Sequence, residues 1–207
     1  IMVVIGFARV FLDMGISNAI IHQQNITKEI LSSLYWLTIF SGIMVFIIIC
    51  VSASVIVYFY DEPQLFNLVY LSSFIFLIMP IGQQFQILLQ KNLQFKQLSK
   101  IEILSSATNS LTAIILANNG FGVYSLVWGK LIATLVRVVQ LLFYGCKLWF
   151  PRWYFSFKQT REYISFGLYQ MGEKTINYFN SNLDYILIGS LLGATSLGYY
   201  TLAYNII

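Results

Sequence analysis

The side chains best suited to chemistry in this chain are cations set within apolar runs. Lys130, Thr134 and Arg137 recur at i, i+4 and i+7, which puts them on one face of a helix. Arg9 and Asp13 stand one helical turn apart in another apolar run. Lys174 shares a helical side with Gln170, Asn177 and Ser181. A charge facing lipid near mid-bilayer costs on the order of 3 kcal/mol or more, so these groups are expected to point inward. Lys130 and Arg137 have no local acid to pair with. Arg9 and Asp13 either neutralise each other or form part of a polar cavity wall. Glu173 and Lys174 are neighbours in sequence, but adjacent helix residues do not face each other. Within the apolar runs the acids are read as Asp13, Glu173 and Asp184.

Lysine and arginine supply charged donors to phosphate and carboxylate, so a surplus of inward cations suits a large polar ligand with anionic groups. Gln83, Gln86 and Gln90 recur at helical spacing and add amides that need partners or water. Tyr163, Tyr169 and Tyr178 are candidates to stack on sugar rings. No catalytic constellation accompanies them. The chain has one histidine, His22, at the end of an apolar run, and two cysteines, Cys50 and Cys146, with no metal or disulfide spacing. A phosphate-binding G-x-x-x-x-G-K-[ST] loop is absent, and neither a cofactor nor a metal is expected.

The elements that must position these groups are membrane helices. The chain is 58% hydrophobic and 10% charged, against about 25% charged in a soluble domain. Its mean hydropathy is +0.73. The pattern predicts an all-α polytopic membrane protein of about six spans plus the start of a seventh. Spans are expected at 1–23, 34–60, 65–90, 98–116, 121–145 and from about 163, with a further helix from 199. The second is nearly featureless and reads as lipid-facing. The third opens on the acidic turn Asp61-Glu62-Pro63, and Pro80 and Gly82 are expected to interrupt it. In the fourth, Ser105, Thr108, Asn109 and Thr112 line one side, as helix contacts in membranes do. Asn118-Asn119-Gly120 makes a tight turn, and Gly193 with Gly198 marks another. Both ends of the chain lie inside apolar runs, so it is expected to be a piece of a longer protein.

Loop charge tests this count. Alternating the loops between two sides puts Lys28, Lys91, Lys96, Lys100, Lys147, Arg152, Lys158 and Arg161 on one side. The opposite loops, at Asp61-Glu62, Asn118-Asn119 and Gly193-Ala194, hold no basic residue. Basic loops stay cytoplasmic, so 24–32, 91–100 and 146–162 are expected on the cytoplasmic side of a membrane.

Several stretches carry a resemblance. Asp13–Gln23 (DMGISNAIIHQ) is similar to the end of the second helix in polysaccharide exporters, and Pro80–Phe85 (PIGQQF) with Leu88–Phe95 (LLQKNLQF) to the fourth. Ile176–Asp184 (INYFNSNLD), Leu192-Gly193-Ala194 and Leu197–Asn205 (LGYYTLAYN) are similar as well. Together they resemble the colanic acid/teichuronic acid exporter branch of the Wzx-type flippases, in the multidrug/oligosaccharidyl-lipid/polysaccharide superfamily.

That resemblance implies two six-helix lobes around a cavity that opens alternately to each side. Residues 1–146 would belong to the first lobe, without its first helix. Residues 147–162 would form a basic cytoplasmic linker, and 163–207 the start of the second lobe. The implied substrate is an undecaprenyl-pyrophosphate-linked oligosaccharide. H+ or Na+ as coupling ion and other polysaccharide-assembly proteins are the further implied partners, with no nucleic acid. Arg9, Asp13, Gln83, Gln86, Lys130, Arg137, Lys174 and Asn177 are the expected cavity residues. Two rivals stand beside this reading. A cation-coupled multidrug antiporter would favour acidic cavity residues, and a membrane glycosyltransferase or polymerase would need a large outer loop with catalytic side chains. A non-transporting scaffold would leave the buried cations without a purpose.

Overall fold

The computed structural model describes residues 2–13, 15–22, 26–60 and 65–204, so the Asp61-Glu62-Pro63 turn lies outside the described residues. Among them run nine helices: α1 (Met2–Asp13), α2 (Ile16–His22), α3 (Lys28–Tyr60), α4 (Leu65–Ser73), α5 (Ile75–Lys91), α6 (Phe95–Asn118), α7 (Tyr124–Gly145), α8 (Phe157–Leu191) and α9 (Gly193–Tyr204). Of the described residues 87% are helical and none is in a strand. Among them three stretches are long and apolar enough to cross a membrane: 28–55, 65–91 and 124–145. The protein is an all-α polytopic membrane protein.

Two expected spans are broken where the local chemistry demands it. The first divides at Gly15, whose φ of +64° favours glycine. Space demands glycine there too, because a Cβ would lie 2.7 Å from the Gly167 Cα on α8. The third span was expected to break at Pro80 and Gly82, yet α5 runs straight through both. The interruption falls at Phe74, whose N–H reaches back three residues to the Leu71 carbonyl at 3.4 Å. Pro80 lacks an N–H and strips the Phe76 carbonyl of its helical partner. Gly42 on α3 lets a neighbouring backbone close over that spot: a Cβ on it would press on the Pro80 ring and sit 2.5 Å from the Phe76 carbonyl oxygen. Further on, α8 begins at Phe157 rather than near Tyr163, and α9 at Gly193, so Gly198 lies inside a helix and not in a turn.

Contacts between helices fix their directions. Arg137 meets Glu102, and Gly129 faces Asn109, so α6 and α7 are antiparallel. At about 1.5 Å per residue, the 24 residues of α6 match the slab that α7 crosses. Gly82 faces Val138 and Leu141, and Gly145 faces Phe85, so α5 and α7 run parallel. Gln84 donates to the Leu31 carbonyl at 2.8 Å, which sets α3 antiparallel to α5. Gly6 faces Tyr178 and Gly15 faces Gly167, which sets α8 antiparallel to the α1–α2 pair. These directions bring Lys28, Lys91, Lys96, Lys100, Lys147, Arg152, Lys158 and Arg161 to one end of the bundle, the distribution read from loop charge.

The expected lipid-facing character of α3 holds for one side only. Phe40, Met44, Ile48, Val51 and Val55 are exposed, while Ser32, Ser33, Thr38 and Ser41 are buried toward α1, α5 and α8. The basic connection between α7 and α8 is a strap tied to that same helix. Trp149 is buried against Tyr35 and Phe85, and Trp153 stacks on Trp36 with centroids 4.4 Å apart. The Arg152 N–H donates to Ser32 Oγ at 3.2 Å and the Ser156 N–H to Ser33 Oγ at 3.1 Å, while Trp36 Nε1 donates to the Arg152 carbonyl. Tyr163, expected to stack on sugars, is buried in the core beside this strap.

The α3–α5 crossing makes a direct prediction. Gly42→Ala should destabilise the full-length protein by about 1–3 kcal/mol, the usual penalty of overpacking. Gly172→Ala, where a Cβ meets nothing within 4 Å, should be neutral or stabilising. Thermal unfolding in detergent checks both.

Candidate functional site

The cationic face is built on α7. Thr134 is buried and donates its hydroxyl to the Lys130 carbonyl at 2.7 Å, the usual satisfaction of a hydroxyl on a membrane helix. That leaves Lys130 exposed on one side of it and Arg137 partly buried on the other. The Arg137 guanidinium reaches two neighbouring helices. Its Nη2 lies 2.9 Å from Glu102 Oε2 on α6 and donates to Gln86 Oε1 on α5 at 3.4 Å. Its Nη1 donates to Glu102 Oε1 at 3.5 Å, so the pair approaches a two-pronged geometry.

Arg137 was expected to have no acid to pair with, and the structure corrects that. Glu102 had not been read among the acids within the spans. Its pairing was nevertheless legible, because Glu102 and Arg137 lie at nearly equal distances along the chain from the Asn119-Gly120 turn. Folding an antiparallel hairpin there brings them level.

A cleft of about 280 Å³ opens beside the pair. Gln86, Gln90, Ser99, Glu102 and Arg137 give it polar groups, and Leu98 is one of its apolar walls. It lies toward the basic end of the bundle, next to Lys91, where α5 turns into α6. Lys91 itself is tied inward, donating from Nζ to the Ile20 carbonyl at 2.8 Å.

Arg9 joins the site from α1. It lies close enough to Arg137 and Lys130 for each to feel the other's charge, and Glu102 acts on Lys130 in the opposite sense. Arg9, Lys130 and Arg137 therefore lie within electrostatic range of one another, and among the described side chains Glu102, paired with Arg137, is the carboxylate whose charge reaches Lys130. The Arg9 Nε is buried with no hydrogen-bond partner among the described atoms. The Asp13 side chain, expected as its neutralising neighbour or as cavity wall, lies outside the described residues, as does that of His22. Tyr178 of α8 comes beside Arg9, its hydroxyl lying over Gly6 where a Cβ would sit 2.5 Å away. Its ring is 5.8 Å from that of Phe7.

The other expected residues are placed less centrally. Gln83 is partly buried on α5, while its sequence neighbour Gln84 is the fully buried amide that ties α5 to α3. Lys174 is partly buried one turn before Tyr178, and Asn177 is exposed. The described contacts do not bring either into the Arg9, Lys130 and Arg137 group. Gln170 accepts from the Asn18 amide at 2.7 Å and joins α2 to α8. Asp184 accepts from the Tyr200 hydroxyl at 2.5 Å, so it serves the α8–α9 contact. Among the described residues no group of His, Cys, Asp or Glu could hold a metal ion.

With this geometry in view, comparison with known proteins is decisive on family. The polysaccharide biosynthesis protein family matches residues 1–207. The chain belongs to that family. It is 39% identical over 204 residues to the teichuronic acid biosynthesis protein TuaB of Bacillus subtilis (strain 168), covering 97% of this chain and 42% of that relative. It is 31% identical over 205 residues to the lipopolysaccharide biosynthesis protein WzxC of Escherichia coli (strain K12), covering 99% of this chain and 42% of that relative. A more distant relative is the succinoglycan biosynthesis transport protein ExoT of Rhizobium meliloti (strain 1021), 24% identical over 200 residues, 97% of this chain and 40% of ExoT. The chain thus spans about two-fifths of the length of these relatives, which place it in the Wzx-type branch of that family. No solved structure matches it.

Arg9 offers a test of whether this family member keeps a strained charge in its interior. Replacing a buried charge that lacks a full set of partners with an apolar side chain of similar length commonly stabilises a fold. Arg9→Met should therefore raise the thermal midpoint of the full-length protein by a few degrees, read by thermal unfolding in detergent. A marked fall would show that the guanidinium is a structural tie.

Proposed function

We propose that the full-length protein moves a lipid-linked oligosaccharide across the cytoplasmic membrane for polysaccharide export, by alternating access around a cationic cavity. One observation carries this reading: Arg137, paired with Glu102, lines a polar cleft, and the charges of Lys130 and Arg9 lie within electrostatic range of that guanidinium. A cluster so rich in positive charge at membrane depth is costly unless an anion completes it. The pyrophosphate of an undecaprenyl-pyrophosphate carrier, or an acidic sugar, has that charge, and Gln86 and Gln90 add amides for sugar hydroxyls. The name of ExoT, a transport protein, and those of TuaB and WzxC, polysaccharide biosynthesis proteins, support the same class of cargo.

On this reading α8 opens the second lobe and packs on α1, α2 and α3 of the first. The strap at 147–156 is fixed to α3 and moves with the first lobe. Lys174 and Asn177 on α8 face the cargo at another stage of the cycle, and Asp13 adds to the polar wall. The coupling ion is H+ or Na+. The basic ends of the helices lie in the cytoplasm. A multidrug antiporter would bind cationic drugs on acidic groups, and one carboxylate among three cations does not suit that role.

Two experiments test the proposal in the full-length protein. Replacing Lys130 and Arg137 together with glutamine should abolish surface polysaccharide while leaving the protein's level in the membrane unchanged; unaltered export overturns the cationic-cavity mechanism. For orientation, the exposed Cys146 and the partly buried Cys50 are first replaced. Asn119→Cys should then react with a membrane-impermeant maleimide on intact cells, and Lys158→Cys only after permeabilisation. The reverse pattern would invert the topology.

A further inference from the structure

We propose that Glu102 is the resident counter-ion of the anion site. It holds Arg137 while the site is empty, and a phosphate-class headgroup takes its place when cargo loads. This inference rests on the export reading above and names how the same site is occupied.

The geometry supplies the argument. Glu102 and Arg137 meet at 2.9 Å with side chains 57% and 31% exposed, so the pair is open to an incoming ligand rather than sealed in the core. On the export reading water fills the cleft, and ion pairs that water reaches are weak and readily exchanged. The cleft beside them brings Gln86, Gln90 and Ser99 within the same wall, with Leu98 and Phe95 to receive apolar atoms. Glu102 offers Arg137 one negative charge, and Lys130 and Arg9 lie within electrostatic range of the same guanidinium. A diphosphate brings more charge and more acceptor oxygens than a carboxylate, and can engage the Arg137 fork within the field of those two further cations. Glu102 need not be stranded on leaving, since it also acts on Lys130. The cleft lies at the basic end of the bundle, where Gln90 and Ser99 are neighbours in sequence of Lys91 and Lys100. On the export reading this is the side from which cargo arrives. Glu102 is therefore a competitor for the site, and it sets how strongly an anion must bind to enter.

The test uses full-length protein in detergent free of anionic lipid, titrated calorimetrically with inorganic pyrophosphate. Glu102→Gln should bind pyrophosphate about three- to five-fold more tightly than wild type, the range expected when an exposed ion pair no longer competes. Glu102→Ala serves the same purpose should the amide variant fail to fold, and the thermal midpoint reports on folding in each case. Arg137→Gln should weaken binding about ten-fold or more, whether or not Glu102 is present. If wild type binds pyrophosphate and removal of Glu102 leaves affinity unchanged or lower, the counter-ion role falls while the anion site stands. Should neither wild type nor the Glu102 variants bind, the anion site and its counter-ion fall together. Displacement of pyrophosphate by equimolar phosphatidylglycerol would assign the cleft to bulk lipid headgroups and overturn the cargo role.

Discussion

The constraint on which this molecule depends is that a charged or polar group at membrane depth must find its partner within the protein. Hydrocarbon offers neither hydrogen bonds nor counter-ions, so placing such a group fixes which way a helix faces. The Arg137–Glu102 pair, whose Nη2 also donates to Gln86, ties α5, α6 and α7 at one level. Gln84 ties α5 to α3 through the Leu31 carbonyl, and Asn18 ties α2 to α8 through Gln170. In a membrane, apolar side chains lose little by facing lipid, and these polar ties with close glycine contacts do what a hydrophobic core does in water. Gly15 against Gly167, Gly42 against Pro80 and Gly145 against Phe85 mark where small residues let helices approach.

The polar ties divide into two kinds. Gln84, Thr134, Asn18 and Gln170 each satisfy a neighbour and stop there, so they account for architecture. Arg9, Lys130 and Arg137 differ in setting like charges within range of one another, with Arg137–Glu102 the described ion pair among them. On the proposed export function, the protein bears that cost in stability for the sake of a binding surface. The strap between α7 and α8 belongs with the first kind. Its basic residues satisfy the topology rule, yet its aromatic and serine contacts make it part of the α3 surface.

On the proposed export function, an anionic, sugar-bearing cargo needs a site that is positive and rich in amides without being a closed pocket. The cleft beside Arg137 has that character, with amides on one wall and apolar side chains on another. Tyr163 and Asp184 drop out of the candidate site for the same physical reason. Each has found a stable place, Tyr163 in the core and Asp184 on the Tyr200 hydroxyl.

Composition was sufficient by itself to establish an all-α membrane protein, and loop charge carries the proposed sidedness. Both depend on sums over many residues, and no single contact can reverse them. The sequence also marked Gln86, Lys130 and Arg137, because a cation or amide in an apolar run has few places to go. It did not reveal where the third span is interrupted, since Pro80 is accommodated by Gly42 of a helix far away in sequence. Nor did it pair Arg137 with Glu102, although the Asn119-Gly120 turn held the register needed to do so. Periodicity reports on one helix at a time, whereas pairing depends on which faces two helices turn toward each other. That choice belongs to the packed bundle, where glycine gaps and polar ties set the distances between helices.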